Sequence, residues 1–421
     1  MSKRILFIQH ASAMGGSVLS LLYLMQKLDR SKYIPVVACV SPLGGVVELY
    51  QSQGIETFHW PRLAIFPHTT GGWYPIWNPR ALGQLAKKIA AFPSGVTATR
   101  QLIQKVKPDL VHLNSVVLAP SAVGVKREKI PLVWHVREAV VPGHMGCRRA
   151  LIKHWLMSLP DEIIFISSDE KQQLLNNRRG VVIPNFVDFN RFNQEVDGSA
   201  CRQDLGLKKS DFAVLFLGGL GKIKGIHPFL EAVRIEHERN PHLHVVIASG
   251  ISPQSTRWIA RTARVVLPLL GCPTTRQRAM AFMQLNQMQC YVHLLPFRSD
   301  IERLIAACDV LAFPSIEPHF ARPVIEAGAM GKPVIASRIG GVEELIEEGV
   351  TGILVPPGDV HAIADALHTL FTQSAMAANM GRNGCKRSQL SYNADINVEE
   401  ITRIYDHIFD GKYETDHQCL H

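Results

Sequence analysis

The chain repeatedly sets a short, wholly apolar segment before a segment with helical spacing, and this alternation constrains the fold more than any other feature. At the start, the apolar run RILFIQ (4–9) is followed by a glycine-bearing loop from Ala13 to Gly16 and by the helix-forming run SVLSLLYLMQKL (17–28). A strand, a glycine loop and a helix in this order open a Rossmann-like unit. Strands that are apolar along their whole length indicate a parallel sheet with helices on both faces.

The same pattern recurs along both halves of the chain. The further candidate strands are YIPVVACV (33–40), PDLVHLNS (108–115), IPLVWHVRE (130–138), DEIIFISSDE (161–170) and VVIPNFVD (181–188) in the first half, and DFAVLFLGG (211–219), LHVVIASG (243–250), DVLAFPS (309–315), KPVIAS (332–337) and TGILVPPGD (351–359) in the second. Several of these runs end in polar residues. Because ligands bind at the carboxyl ends of parallel strands, those polar ends are candidate site residues.

We therefore expect an α/β fold of two Rossmann-like domains whose parallel sheets face a central cleft. A length of 421 residues suits two cores, and strand pattern gives way to polar residues between Asp188 and Arg202. A last amphipathic helix, from Ile396 to Phe409, could pack back across the interface between the domains. The predicted divisions are residues 1–190, residues 191–390 and a C-terminal segment of residues 391–421.

Composition narrows the class of protein. The apolar run near the start is too short for a signal peptide or a membrane span, and no window reaches about 18 uninterrupted apolar residues. The eight cysteines are scattered without a CxxC pair, and no histidine cluster has metal-ligand spacing. We expect a cytoplasmic protein with reduced thiols and no metal site.

The excess of positive over negative charge lies entirely in the first half of the chain. Residues 1–190 hold 22 Lys and Arg against 11 Asp and Glu, which leaves 23 against 25 of the chain's 45 and 36 for the remainder. A basic face suits an anionic lipid surface, a phosphorylated acceptor or nucleic acid, and it is equally compatible with a plain solvated surface. Within this half, residues 59–100 interleave aromatic and basic side chains. That segment is interpreted either as a membrane interface or acceptor cleft, or as a long loop whose aromatics pack on the core.

The stretch from Phe313 to Gly341 carries the strongest chemical signal. The strand DVLAFP ends in a loop with Glu317 and His319, and a helix is predicted to begin near Arg322 and Pro323 because proline is favoured in a first turn. Backbone N–H groups and the positive end of a helix dipole would then lie at the carboxyl edge of the sheet, where they bind anions. Glu326 could accept hydrogen bonds from ribose hydroxyls, or it could simply complement the helix dipole.

This stretch resembles the glycosyltransferase family with the GT-B fold that is often called family 4 and includes many bacterial retaining sugar transferases. The resemblance extends over nearly the whole chain. It rests on Glu317 and Glu326 before KPVIAS, on Gly15 and Gly16, and on IPNFVD (183–188), GGLGKIKG (218–225), RIGGVEELIEEGVTG (338–352) and LVPPGD (354–359).

The resemblance implies the activity and the roles of the two domains. The first domain would bind the acceptor and the second the nucleotide sugar, and the transfer of a hexosyl-type sugar would retain the anomeric configuration without a metal or other cofactor. Glu326 would bind the nucleotide ribose, and the loop amides with a basic pair would hold the diphosphate. The implied nucleotide-sugar ligands are Gly15, Gly16, Lys222, Lys224, Phe320, Ala321, Arg322 and Glu326.

Two departures from the family pattern bear on the catalytic residues. Glu317 lies nine residues before Glu326, whereas the usual interval is eight, so His319 could share the role of the first glutamate. In the glycine loop, Gly219 stands where the family has an arginine, while Lys224 keeps the lysine position. Lys222, in the same turn, could compensate, or the two lysines could be ordinary surface residues.

Polar residues at strand ends of the first half are the remaining candidates. WHVRE places His135, Arg137 and Glu138 at one strand end, and the resemblance assigns His135 to the histidine that contacts the reacting sugar. The alternative for His135 is a core histidine satisfied by backbone groups. Asn114 and Ser115 end the neighbouring strand, where they could line the acceptor side or cap the next helix.

The function predicted from the sequence is transfer of a sugar from a nucleotide-sugar donor to a hydroxyl of a polysaccharide, lipid-linked or other glycan acceptor. The expected partners are that donor, that acceptor and an anionic membrane touched peripherally on its inner face, with no nucleic acid. The alternatives are a nucleotide-sugar epimerase of the same architecture and a non-catalytic nucleotide-sugar-binding protein. A nicotinamide dehydrogenase fits poorly because the first loop lacks GxGxxG and no acidic residue ends YIPVVACV.

Overall fold

A computed structural model gives the fold of residues 2–11, 15–41, 45–67, 74–248, 273–296 and 298–411. The chain divides into two compact units. The first is built from Met1–Phe186 together with Asn393–His421, and the second from Val187–Tyr392.

The first unit contains a seven-stranded sheet in which all neighbouring strands are parallel. Its strands are β1 (Lys3–Gln9), β2 (Tyr33–Cys39), β3 (Glu56–His59), β4 (Leu110–Leu113), β5 (Leu132–Val136), β6 (Glu162–Phe165) and β7 (Val181–Val182). They lie in the order β3-β2-β1-β4-β5-β6-β7. The helices that connect them are α1 (Gly16–Lys27), α2 (Val46–Ser52), α3 (Pro79–Ala90), α4 (Phe92–Val106), α5 (Ala119–Glu128), α6 (Cys147–Ser158) and α7 (Ser168–Leu175).

The second unit repeats this topology with six parallel strands. They are β8 (Phe212–Leu217), β9 (Leu243–Ala248), β10 (Val292–Leu295), β11 (Val310–Phe313), β12 (Val334–Ser337) and β13 (Gly352–Val355), in the order β10-β9-β8-β11-β12-β13. Its helices are α8 (Ser199–Asp204), α9 (Ile226–Arg239), α10 (Thr275–Leu285), α11 (Ile301–Ala307), α12 (Arg322–Ala329), α13 (Val360–Thr372) and α14 (Ser374–Ser391).

The apolar character of the strands follows from burial on both faces. In β1, Ile5 and Phe7 belong to the core on one side of the first sheet, whereas Leu6 and Ile8 belong to the core on the other side. Alternate residues of a strand point to opposite faces, so a strand covered by helices on both sides is apolar throughout. The predicted α/β class with two Rossmann-like parallel sheets is confirmed.

The last helix, α15 (Ala394–Phe409), returns to the first unit. Its buried residues Ile401, Ile404 and Tyr405 join the core that contains α1 and one face of β1. The predicted amphipathic helix thus begins two residues earlier than expected, at Ala394, where the side chain of Asn393 accepts a hydrogen bond from the N–H of Asp395.

Two short strands and one segment differ from the sequence interpretation. β3 and β10 were not foreseen, because each mixes polar and apolar residues. Residues 59–100 are not one long loop, since they include α3 and the start of α4. Trp60 and Phe92 pack against the core of the first unit, whereas Trp77 is 83% exposed. Trp73 lies outside the described residues.

Within the described ranges, none of the helices has both the length and the apolar character that crossing a lipid bilayer requires.

Candidate functional site

The strand order places the strongest candidate residues beside a reversal in the second sheet. Strand β8 is flanked by β9 and β11, so the chain moves outward in one direction through β9 and β10 and in the other through β11, β12 and β13. In open parallel sheets ligands bind at the carboxyl ends of the strands next to such a reversal. The loops that leave β8 and β11 there are residues 218–225 and residues 314–321.

These two loops are held together by their backbones. The N–H of Ile316 donates to the carbonyl of Ile223 at 2.9 Å. Gly225 has a φ of +71°, and a Cβ added there would lie 1.9 Å from the carbonyl oxygen of Pro314. Only glycine fits this close approach, which explains the last glycine of GGLGKIKG.

Lys224 and His319 meet where the two loops come together. The Nζ of Lys224 lies 2.6 Å from Nε2 of His319, and Nδ1 of His319 lies 2.8 Å from the carbonyl oxygen of Glu317. Since a carbonyl only accepts, Nδ1 carries the ring proton, and Nε2 accepts from the ammonium group. Lys224 also lies over the Phe313 ring, 5.3 Å from its centre.

Burial controls the charge of this pair. Burial lowers the pKa of Lys224 to about 8. Burial also lowers the pKa of His319 to about 4, with a further contribution from the positive charge of Lys224. No carboxylate lies within ion-pair distance of Lys224 in the part of the chain that the structure describes. The site therefore carries a half-buried cation that lacks a counter-charge among the described residues, as expected where an anion binds.

The start of α12 adds backbone donors beside this cation. The helix begins at Arg322, as predicted, with Pro323 in its first turn and no side-chain cap. Among the described residues, the N–H groups of Phe320 and Ala321 donate to no acceptor. Free N–H groups at the positive end of a helix are donors for phosphate oxygens.

Arg322 and Glu326 form a buried ion pair one turn into α12. Nε and NH2 of Arg322 both lie 2.9 Å from Oε1 of Glu326. Burial raises the pKa of Glu326, and the adjacent guanidinium opposes that rise. The second carboxylate oxygen, Oε2, makes no hydrogen bond within the described residues. The structure thus turns Arg322 toward Glu326, and it leaves one oxygen of Glu326 available to accept hydrogen bonds.

Three other residues of these loops lie outside the contact between Lys224 and His319. Glu317 is half-buried and contributes its carbonyl to His319. Lys222 is exposed, in the short turn before Lys224. Gly219 has a φ of +78°, a conformation that disfavours the arginine expected at this position.

In the first unit, the glycine loop after β1 leads directly into α1. Gly15 precedes the helix with extended backbone and a φ of −158°, its carbonyl accepts from the N–H of Leu19, and Gly16 is the first helical residue. Both glycines are exposed. The Ala13 end of the predicted loop lies outside the described residues.

His135 is buried, 1% exposed, near the end of β5. Its Nδ1 lies 3.2 Å from NH2 of Arg137 and 3.3 Å from Nε2 of His112, while its Nε2 has no partner. Arg137 also donates to the side-chain oxygens of Asn114 and Asn185. His135 is thus a core histidine, as one of its two interpretations had it, but the partners of its Nδ1 are side chains and not backbone groups.

Ser115 has the capping role that was one of its two interpretations. Its hydroxyl accepts from the N–H of Val117 at 3.2 Å at the start of a short 3-10 turn, and it donates to the Glu138 carboxylate. His10, which follows β1, lies 3.9 Å from the same carboxylate, and its Nδ1 is buried without a partner. Sequence reasoning did not select His10 as a site residue.

Three residues of the His135 network were missed from the sequence. His112 and Asn185 lie inside segments that look like ordinary strands, and Tyr405 comes from α15, nearly 300 residues away from His112. The hydroxyl of Tyr405 lies 2.7 Å from Nδ1 of His112. A polar residue in an otherwise apolar strand was the available signal for His112, whereas nothing in the local sequence pointed to Tyr405.

Among the described residues, no group of three or more His, Cys, Asp and Glu side chains is arranged to hold a metal ion.

Comparisons with known proteins agree with this architecture. The chain aligns with a solved structure of the Anabaena protein HepE in complex with UDP and glucose, with a TM-score of 0.74, 22% identity, and 96% of this chain and 99% of that chain covered. It also aligns with the sucrose-phosphate synthase of Thermosynechococcus elongatus, with a TM-score of 0.75, 20% identity, and 97% and 100% covered. The fold is that of the GT-B glycosyltransferases.

Family models make the assignment more specific. Residues 14–191 match the family described as Glycosyltransferase Family 4, and residues 199–387 match the family described as Glycosyl transferases group 1. A D-inositol 3-phosphate glycosyltransferase of Corynebacterium glutamicum (strain R) is 27% identical over 328 residues, which are 73% of this chain and 74% of the relative. The chain belongs to the group 1 glycosyltransferases of family 4, and it is a transferase enzyme that uses a nucleotide sugar.

Proposed function

We propose that this glycosyltransferase moves a hexose-type sugar from a nucleoside diphosphate sugar to a hydroxyl of a polysaccharide, lipid-linked or other glycan acceptor, with retention of the anomeric configuration. The observation that carries the donor side is the half-buried Lys224 ammonium, which has no carboxylate partner among the described residues and lies beside free helix N–H groups. A diphosphate supplies the missing negative charge.

Lys224 stabilises the leaving group in this scheme. A nucleoside diphosphate departs readily only if its developing charge is stabilised, and fixed donors in a water-poor site do this better than solvent. Lys224 provides a cation, the N–H groups of Phe320 and Ala321 provide dipoles, and the exposed Lys222 supplies a second, weaker charge. The neutral His319 holds the Lys224 amine in place without cancelling its charge.

Glu326 is proposed to bind the ribose of the donor. Oε1 is occupied by Arg322, so Oε2 is the oxygen that accepts from a ribose hydroxyl. In this arrangement burial raises the pKa of Glu326, and the adjacent Arg322 guanidinium opposes that rise by favouring the charged carboxylate. Arg322 therefore acts on the nucleotide through Glu326.

The proposed reaction requires no metal and no carboxylate nucleophile. The departing phosphate accepts the proton of the acceptor hydroxyl on the face from which it leaves, which yields retention. Of the residues predicted to be catalytic, His319 acts on the diphosphate through Lys224, and His135 contacts the reacting sugar. Glu317 contributes through its carbonyl to the position of His319. Gly15 and Gly16 are proposed to let the donor approach the start of α1 closely.

A screen of nucleotides tests the donor assignment. Thermal unfolding is followed with UDP, GDP, ADP and their sugars, because a ligand that binds only the folded state raises the midpoint. We expect one nucleotide series to stabilise the protein. Lys224→Ala should abolish that stabilisation and lower turnover by about 10² or more. Lys222→Ala is the matched control and should lose much less of the stabilisation and of the turnover. Equal losses in the two variants would reject the special role of Lys224. If no nucleotide stabilises the protein, the proposal itself is rejected.

We also propose that the enzyme works in the cytoplasm with α3 docked on the anionic inner face of the membrane. No residue of α3 is buried, and Leu82, Leu85 and Ile89 form one stripe along it at helical spacing. The exposed Ile76 and Trp77 precede this stripe. Arg80, Lys87 and Lys88 lie outside the stripe, so the helix combines an apolar face with a positive charge that complements anionic lipid.

Vesicle sedimentation tests this contact. The protein should sediment with phosphatidylcholine vesicles that contain phosphatidylglycerol, should stay in solution with phosphatidylcholine alone, and should be released by salt. Trp77→Ala should weaken sedimentation. Leu285→Ala is the matched control, because Leu285 is 82% exposed in the second unit while Trp77 is 83% exposed. Equal binding by both variants, or no binding by the wild type, would reject the docking role of α3.

A further inference from the structure

Four buried polar side chains form a hydrogen-bonded row that starts on the C-terminal helix and runs through Tyr405, His112 and His135 to Arg137. The hydroxyl of Tyr405 lies 2.7 Å from Nδ1 of His112, and Nε2 of His112 lies 3.3 Å from Nδ1 of His135. NH2 of Arg137 lies 3.2 Å from the same Nδ1 of His135. All four residues belong to the first unit, and both histidines and Tyr405 are essentially inaccessible to solvent.

Hydrogen-bond chemistry fixes which nitrogen of His135 carries the proton. A guanidinium group can only donate, so the Nδ1 atom that faces Arg137 must be an acceptor. A neutral ring with a bare Nδ1 carries its proton on Nε2. That is the one polar atom of His135 that has no partner and is buried.

The same reasoning fixes His112 and gives Tyr405 its role. If Tyr405 accepted from Nδ1 of His112, then Nε2 of His112 would be bare and would face the bare Nδ1 of His135. The repulsion of two lone pairs at 3.3 Å is avoided only when Nε2 of His112 carries the proton. Tyr405 must then donate its hydroxyl proton to Nδ1 of His112.

The charge state of each group is compatible with this chain of donors. Burial lowers the pKa of His112 and that of His135 well below the ordinary value, with the Arg137 charge acting in the same direction, so both rings are neutral. Burial raises the pKa of Tyr405 well above its ordinary value, so its hydroxyl keeps the proton that it donates.

We propose that Tyr405, on the C-terminal helix, is a positioning residue that acts through His112 and, together with Arg137, holds His135 as an obligate Nε2–H hydrogen-bond donor to an oxygen of the reacting sugar. The proposal rests on the glycosyl transfer proposed above. A buried donor without a partner is unfavourable, and a substrate oxygen that accepts from Nε2–H relieves this cost. The neutral ring orients the sugar and neither removes nor supplies a proton.

Nitrogen NMR of histidine-labelled protein tests the proton positions without any substrate. Protonated and bare ring nitrogens of neutral histidine resonate far apart, and His135→Gln identifies the signals of His135 among the 18 histidines. The expected result is a neutral His135 with the proton on Nε2, and the same tautomer for His112. A charged His135, a proton on its Nδ1, or a mixture of tautomers would overturn the proposal.

Two tyrosine variants separate the hydrogen-bond chain from the attachment of α15. Tyr405→Phe removes one hydroxyl, so the signal of His112 Nδ1 should move to that of a nitrogen without a hydrogen bond. Tyr33→Phe is the matched control, because the Tyr33 hydroxyl bonds to Asp406 of the same helix and does not touch the histidines. The control should leave the His112 signals unchanged; equal changes in both variants would mean that loosening of the helix, and no specific donor, is responsible.

Kinetics then test whether Tyr405 acts through His135. With UDP-glucose as donor and release of UDP as the readout, Tyr405→Phe should lower kcat about fivefold, close to the loss of one hydrogen bond, with KM nearly unchanged. In a His135→Gln background the same change should have no further effect. Additive losses would overturn the positioning role. If the protein turns over no donor, the proposed function fails, while the tautomer of His135 is still decided by the spectra.

Discussion

Binding of the donor diphosphate should be accompanied by proton uptake at Lys224. In the free protein, burial without a counter-charge lowers the pKa of this amine from 10.5 to about 8. The shift corresponds to about 3 kcal/mol by which the site disfavours the ammonium form. A bound diphosphate supplies the counter-charge, so it should return the pKa to the ordinary value or above it.

The sign and size of the effect follow from this shift. When a ligand raises the pKa of a protein group, that group takes up protons as the ligand binds. The affinity for the ligand then falls as the pH rises through the pKa of the group in the free protein. At pH 7 about one tenth of the Lys224 amines are neutral, at pH 8 about one half and at pH 9 about nine tenths. Uptake should therefore rise from about 0.1 to about 0.9 proton per bound donor, and affinity should drop about tenfold from pH 7 to pH 9.

Calorimetry in two buffers of different ionisation enthalpy measures this uptake. The donor nucleotide sugar selected by the thermal screen is titrated at pH 7, 8 and 9, and the difference in heat between buffers gives the protons exchanged. Lys224→Arg is the control, since a guanidinium stays charged throughout this range and the rest of the site still titrates. Equal uptake at pH 9 in the wild type and in Lys224→Arg would refute the assignment of the Lys224 ammonium as the phosphate ligand.

Three further outcomes are expected. Glu326→Gln should leave the fold intact and weaken donor binding severely in calorimetry, because the amide leaves Arg322 without its carboxylate and offers the ribose a weaker acceptor. An unchanged affinity would contradict the assignment of Glu326 to the ribose. Gly225→Ala should reduce the thermal stability strongly, because the added Cβ clashes with Pro314. Gly206 has a similar φ of +67° and no neighbour within 4 Å of an added Cβ, so Gly206→Ala should cost only the backbone strain. Equal losses of stability would count against the close approach of the two loops. Turnover should survive EDTA, and a strict metal requirement in assays would contradict the metal-free scheme.

The fold was predictable because its signal is repeated and local. Each unit contains a first strand, a glycine loop and a helix, and burial of both sheet faces makes the strands apolar throughout. The two parallel sheets and the helix that begins at Arg322 could be predicted from such patterns. The strands β3 and β10 could not, because polar residues interrupt their apolar runs, whereas the equally short β11 and β13 are apolar throughout.

Part of the donor site could likewise be predicted from the sequence, and part could not. Lys224, His319, Glu317 and Glu326 lie in two short motifs, and the contact between Lys224 and His319 follows from adjacent strands β8 and β11. The pairing of Arg322 with Glu326 was not foreseen, although their spacing of four residues on one helix was visible in the sequence.

The His135 network could not be predicted from the sequence, because it is formed by contacts between residues that lie far apart along the chain. His112 and His135 sit on neighbouring strands β4 and β5, so a sequence that predicts parallel strands still does not reveal that their rings meet. Tyr405 reaches His112 only because α15 returns to the first unit. Nothing in the local pattern of INVEEITRIYDHIF specifies which strand its one tyrosine will touch.

Each unit contains a polar group whose burial is unfavourable until a ligand arrives. In the second unit it is the Lys224 ammonium, which has no carboxylate partner among the described residues, and in the first it is Nε2 of His135, a buried donor without an acceptor. Residues that are costly in the free protein persist where they contribute to function, since selection for stability alone would replace them. Most buried polar groups of folded proteins are hydrogen-bonded, so a cation without a counter-charge and a donor without an acceptor are candidates for contact with a ligand. The cost at these two atoms makes each of them a candidate for contact with a ligand in its own unit.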